Sequence, residues 1–229
     1  GSFTASDATG TAAIVANSTQ AGNAGVIEVT GFGTVTSTNG GGIAVTHSGT
    51  GNVTVSSGAN VVTNGAGTTT GIAVTANGGG VTVSGAGATT ATGTAINVGT
   101  SGTGAILVDR NGPVQGGTNG IVTSQTGSGT TTISSGGSVT ALNGIAINAD
   151  NNGGTGAITI SGAGATTSTG GTAINAETAG TGLITINRSG LISATNGSGI
   201  VANQTGTGNV EVSAIGSVTS TGGNTGISA

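Results

Sequence analysis

The ionisable side chains of this 229-residue chain number only nine: His47, Arg110, Arg188, Asp7, Asp109, Asp150, Glu28, Glu177 and Glu211. A metal centre needs several such ligands at matched spacing. His47 has no ligating neighbour and follows Thr46 at the end of an apolar stretch, so its place in the repeat described below predicts a solvent-facing turn. Asp109-Arg110 and Asn187-Arg188 occupy matching places three repeats apart, roughly 14 Å at the usual strand spacing. Cleavage of a polysaccharide would require acids converging on one face. Glu28 and Glu211 match each other but lie seven repeats apart, and Asp7, Asp150 and Glu177 fall in different segments. On this reading no two acids share a proton or a metal. The charges read as surface charge, and the sequence assigns no catalytic, metal or cofactor residue, no small-molecule substrate and no enzyme activity.

Hydroxyl and amide groups are the remaining chemistry. One polar column reads Asn17, Thr46, Thr75, Asn97, Ser124, Asn148, Asn175, Asn203, which suggests a ladder of stacked hydrogen-bonding side chains. Two outward Thr-rich columns are the candidate contact surfaces. The first is Thr54, Thr82, Thr132, Thr159 and Thr185, interrupted by Glu28, Leu107 and Glu211; the second is Thr36, Val62, Thr90, Gln115, Thr140, Thr167, Ser193, Thr219. Such faces suit a host surface or a second copy of the rod. A regular Thr array also resembles ice-binding solenoids, a pattern that Leu107 and the glutamates break. Thr is at the same time an ordinary strand residue.

Composition excludes much else. Two Arg and no Lys cannot neutralise a nucleic-acid backbone. Two Phe and no Trp or Tyr leave no aromatic platform for bases or sugars. Zero Cys excludes disulfides and thiolate metal sites, and three Asp are too few for a calcium-binding solenoid phrase in every turn. No apolar run approaches the ~18–20 residues of a membrane helix. Ile, Val, Leu and Phe together make about one fifth of the chain and Gly contributes 51 residues, so an ordinary layered core is out of reach.

The elements that must position these residues come from internal repetition. A first apolar column runs Ile14, Ile43, Ile72, Thr94, Ile121, Ile145, Thr172, Ile200, Ile227. A second pair of columns runs Ile27, Val53, Val81, Ile106, Thr131, Ile158, Ile184, Val210 and, two residues on, Val29, Val55, Val83, Val108, Ile133, Ile160, Ile186, Val212. A third lies six residues later in every repeat: Val35, Val61, Thr89, Val114, Val139, Thr166, Ile192, Val218. Apolar and polar residues alternate within each stretch, as in Val53-Thr54-Val55-Ser56, which is the period of a strand with one buried face. The second and third stretches are joined through Gly33, Ala59, Gly87, Gly112, Gly137, Gly164, Gly190 and Gly216, a position that calls for either a positive φ or a close backbone approach. The pattern predicts an all-β parallel solenoid of about eight turns of ~27 residues, three short strands per turn. In the first stretch, Val15-Ala16 and Ala44-Val45 read as size traded between neighbours under a volume constraint. Gly1-Ser2 reads as a cloning scar and residues 3–229 as a single β-solenoid fragment of a longer protein.

The recurring phrase, seen in Gly144-Ile145-Ala146-Ile147-Asn148, in Gly154-Thr155-Gly156-Ala157-Ile158-Thr159-Ile160-Ser161 and in Gly216-Ser217-Val218-Thr219-Ser220, resembles the passenger region of bacterial autotransporters, the type V secreted proteins. The resemblance spans residues ~10 to 229. It implies a right-handed parallel β-helix, display at the Gram-negative cell surface, a C-terminal outer-membrane β-barrel in the parent protein, and a role as adhesin, self-association surface or stalk. No catalytic motif of the family maps onto this sequence.

Overall fold

The computed structural model describes residues 2–5, 10–153, 155–213 and 216–229; Asp7 and Gly154, both considered above, lie outside them. Among the described residues 26 strands form three parallel sheets of nine, eight and nine strands. Each strand pairs with its counterpart one turn on, so the chain is a right-handed parallel β-solenoid. The first sheet begins with Ile14–Ser18 and continues through Ile43–His47 to Ile227–Ser228. The second runs from Ile27–Val29 to Val210–Val212, and the third from Phe3–Ala5 to Val218–Ser220. Val, Ile and Thr suit these strands because branched side chains pack well on a pleated surface.

The second and third sheets keep the predicted register. Ile106 lies over Val81 and Val108 over Val83, and Val53, Val81, Ile106 and Ile158 are all buried. Such a residue contributes ~1.5–3 kcal/mol when fully buried. The third-sheet column Val35, Val61, Thr89, Val114 stacks likewise.

The first sheet differs from expectation in three turns. Ile96, Ile147 and Ile174, not Thr94, Ile145 and Thr172, stack on Ile72 and Ile121 and on each other. The inward column is therefore Ile in all nine strands: Ile14, Ile43, Ile72, Ile96, Ile121, Ile147, Ile174, Ile200, Ile227. The residue before it is always Gly or Ala: at Gly120 a Cβ would sit 2.7 Å from a Val139 methyl of the third sheet. One Ile fills the same place in every turn, and the exchange of size falls on the two positions after it, where Val15-Ala16 lies on Ala44-Val45.

The link between second and third strands is settled in favour of close approach. At the position two residues before the third column, none of Gly87, Gly112, Gly137, Gly164 and Gly190 has a positive φ. A Cβ at Gly164 would lie 1.8 Å from the Gly137 carbonyl oxygen, and one at Gly87 1.9 Å from that of Ala59. Successive turns touch there backbone to backbone.

Candidate functional site

The corrected first-sheet register redistributes the polar column. Asn97, Asn148 and Asn175 occupy the outward position next to the Ile column, aligned with Val122 and Val201. The other outward position reads Asn17, Thr46, Thr75, Gly99, Ser124, Asp150, Glu177, Asn203. The amide ladder exists over one step, where Asn175 Nδ2 donates to Asn148 Oδ1 at 2.9 Å.

This register brings Asp150 and Glu177 together as directly paired neighbours in adjacent turns, contrary to the expectation that these acids lie apart. Partial burial, and then the Glu177 charge, push the Asp150 carboxyl above its usual range. Asn152 Nδ2 donates to Asp150 Oδ2 at 2.8 Å, and Asn203 Nδ2 to Glu177 Oε1 at 3.4 Å; Asp150 Oδ1 has no partner. Together with Asn148 and Asn175 they form an acid–amide patch on an otherwise neutral face. Sequence reasoning missed the pair because its frame ended the first strands at Asn148 and Asn175, two residues short of both acids, whereas they run on to Asn151 and Thr178. Below the patch, Gly99 opens a shallow notch of ≈ 190 Å³ lined by Thr75, Asn77, Ser101, Ser124 and Thr126, none of them charged. Among the described residues no three His, Cys, Asp or Glu side chains converge on a point.

His47 is buried, not solvent-facing. It occupies the last inward position of its strand, in line with Ser18 and Ala76. Its Nε2 donates to the Gly25 carbonyl at 2.8 Å and its Nδ1 accepts from the Gly49 N–H at 3.3 Å, which is the pattern of a neutral imidazole. Gln125 repeats the device, donating to Gly104 and accepting from Gly127, and Gln204 does so with Gly182 and Gly206. At His47, Gln125 and Gln204 this corner carries a side chain that both donates and accepts and so ties its own loop to the loop one turn earlier; Ala76 holds the same place without that tie.

Arg110 and Arg188 are also fully buried, which overturns their reading as surface charge. They close the corner between the second and third sheets. Arg110 Nη1 donates to Ser57 Oγ and to the Ser84 carbonyl, both at 2.7 Å; Nη2 donates to Thr89 Oγ1 at 3.1 Å and to the Gly87 carbonyl. Arg188 Nη1 reaches Ser135 Oγ at 2.7 Å and the Ser161 carbonyl at 2.5 Å, and Nη2 reaches Thr166 Oγ1 at 2.8 Å and the Gly164 carbonyl at 2.5 Å. Carbonyl dipoles and hydroxyls solvate both cations. Desolvation by burial lowers both guanidinium pKa values to about 10, with the Asp109 charge partly offsetting this for Arg110. With His47 and both arginines inside, the charges on the described outer surface are acidic: Glu28, Asp109, Asp150, Glu177 and Glu211.

The Thr-rich columns are in register as read. Thr54 pairs with Thr82, Leu107 with Thr132, Thr159 with Thr185, and Thr140 with Thr167.

No family model, curated protein or solved structure matches the chain. The geometry establishes a parallel β-solenoid; the likeness to autotransporter passengers rests on the repeated phrase alone.

Proposed function

We propose that the chain is a non-enzymatic structural segment, a stalk or adhesin portion of a secreted, surface-displayed passenger of the autotransporter kind. One observation carries the reading: the strand register runs unbroken from Ile14 to Ile227, with the same apolar column in every turn. Such a rod transmits force along its ladder hydrogen bonds and repeats any surface contact at each turn, so weak contacts sum. The partners of this reading are a host surface meeting the Thr-rich faces and a C-terminal outer-membrane β-barrel in the parent protein. Antibodies raised against the chain test it. They are expected to label intact source cells; signal confined to permeabilised cells rejects surface display.

The in-register hydroxyl columns also favour a second reading, lateral self-association between like rods, which the acidic exterior opposes at low salt. Sedimentation across a concentration series separates the two. A monomer throughout supports the stalk, and concentration-dependent dimers support self-association.

A further inference from the structure

The two arginines belong to a pattern three turns long. The inward corner column after the second strand reads Ser57, Gly85, Arg110, Ser135, Gly162, Arg188, with consecutive members in adjacent turns. Each arginine stands one turn above a glycine and two turns above a serine, and its Nη1 reaches past the glycine to that serine's hydroxyl. Each glycine holds a positive φ, +123° at Gly85 and +114° at Gly162. A Cβ there would lie 2.1 Å and 2.3 Å from the carbonyl oxygens of Ser57 and Ser135, so no other residue fits between. The third-sheet column changes with the same period. Thr89 and Thr166 accept from Nη2 in the turn beneath each arginine, and Val61 and Val139 occupy that column one turn lower. The heptapeptide Ser-Gly-Ala-Gly-Ala-Thr-Thr recurs unchanged at 84–90 and 161–167, and Ser-Ser-Gly at 56–58 and 134–136.

This periodicity has a physical use. The apolar columns are nearly the same in every turn, so a strand that pairs with the wrong turn still buries Ile on Ile and Val on Val. Gly-rich, uniform strands specify register weakly. A buried guanidinium is not indifferent in this way. Displaced by one turn, Arg188 would meet serine where it needs glycine, and Val139 in place of the Thr166 hydroxyl. A buried cation without its acceptors is strongly disfavoured. We infer that Arg110 and Arg188 are register keys, and that the Ser–Gly–Arg triplet makes three turns, not one, the unit in which this solenoid is built. A buried polar group setting register in a coiled coil is the same principle in another fold.

Internal deletions that join matched positions test this. Removing residues 82–158 takes out three turns and leaves Ser57, Gly162 and Arg188 in order; removing 82–106 takes out one turn and sets Arg110 directly above Ser57. Removing 28–53 takes out one turn and spares every key. If nearest-neighbour stacking alone sets stability, melting temperature follows the number of turns retained. The keys predict the opposite order: the 82–158 deletion melts in one sharp transition above the 82–106 deletion, despite losing three times as many turns. The inference is overturned if the 82–106 and 28–53 deletions melt alike, or if both melt above the 82–158 deletion. Should the 82–106 chain not fold while the 28–53 chain does, the keys are supported; failure of both one-turn deletions counts against them. A second measurement avoids deletions. R110M with R188M keeps an apolar stem, and on refolding from denaturant the yield of monodisperse protein is expected to drop several-fold. Refolding to a single species in native yield contradicts a register role.

Discussion

A guanidinium sealed among carbonyl and hydroxyl oxygens ties stability to alkaline pH in a legible way. Both arginines are pushed down to about 10 by burial, below the ordinary guanidinium value they regain on unfolding. As pH rises above 10 the folded chain gives up these protons before the unfolded chain does. The unfolded state then binds more protons, and stability increases with pH through that window. The chain has no Lys, Tyr or Cys to obscure the effect. Rapid thermal scans are expected to show a melting temperature that rises between pH 9 and 11.5, a range in which Lys- and Tyr-containing proteins ordinarily lose stability. A midpoint that stays level through this range would show that the folded state holds these protons as tightly as the unfolded chain, and one that falls that it holds them more tightly. Asp150 has the reverse sign. Its raised pKa means that the folded state holds the proton more tightly, so stability falls as pH rises through its titration.

At the scale of the element, the corner between second and third strands governs how closely turns approach. Gly164→Ala places a methyl carbon 1.8 Å from the Gly137 carbonyl oxygen, which only a backbone shift can relieve. Overpacking of this kind costs ~1–3 kcal/mol, and urea denaturation of the variant is expected to show a loss in that range. A loss below a few tenths of a kcal/mol would mean that the turns can separate there freely. This corner was readable from sequence because six residues always separate the second and third apolar columns. The first sheet was less legible for a physical reason. Its flanking links vary in length, so the frame had to be set by residue type, and a Gly-Ile template selects Gly144-Ile145 over Ala146-Ile147. Both frames alternate with a period of two, and Ala146 is itself buried, so periodicity cannot separate them. The small residue before the Ile column was the missing criterion: Ala serves there as well as Gly. The same frame closed these strands at Asn148 and Asn175, which left Asp150 and Glu177 in the loops beyond and hid that they are neighbours. His47 was misplaced for another reason. A strand's last inward position can be polar when the side chain secures the following loop, and Gln125, Asn151 and Gln204 occupy it too. The arginines were legible in principle, since the repeated Ser-Gly-Ala-Gly-Ala-Thr-Thr phrase precedes each by about one turn.

For the whole molecule, the relevant contrast is between inside and outside. The interior holds its Ile and Val columns and also its cations, and the exterior displays hydroxyls, amides and acids. A protein with a single globular core unfolds as one body, whereas stacked turns open where neighbour contacts are weakest. Trypsin reports on that opening. It cleaves only after Lys or Arg, and this chain offers it Arg110 and Arg188, both fully buried. The native rod is expected to survive digestion that reduces the heat-unfolded chain to three fragments ending at 110, 188 and 229, as mass spectrometry would read directly; prompt cutting of the native chain at either arginine would contradict their burial. Each scissile bond thus becomes a gauge of its own stretch of coil, and the ratio of the two cutting rates under mild denaturation measures which end of the rod unwinds first.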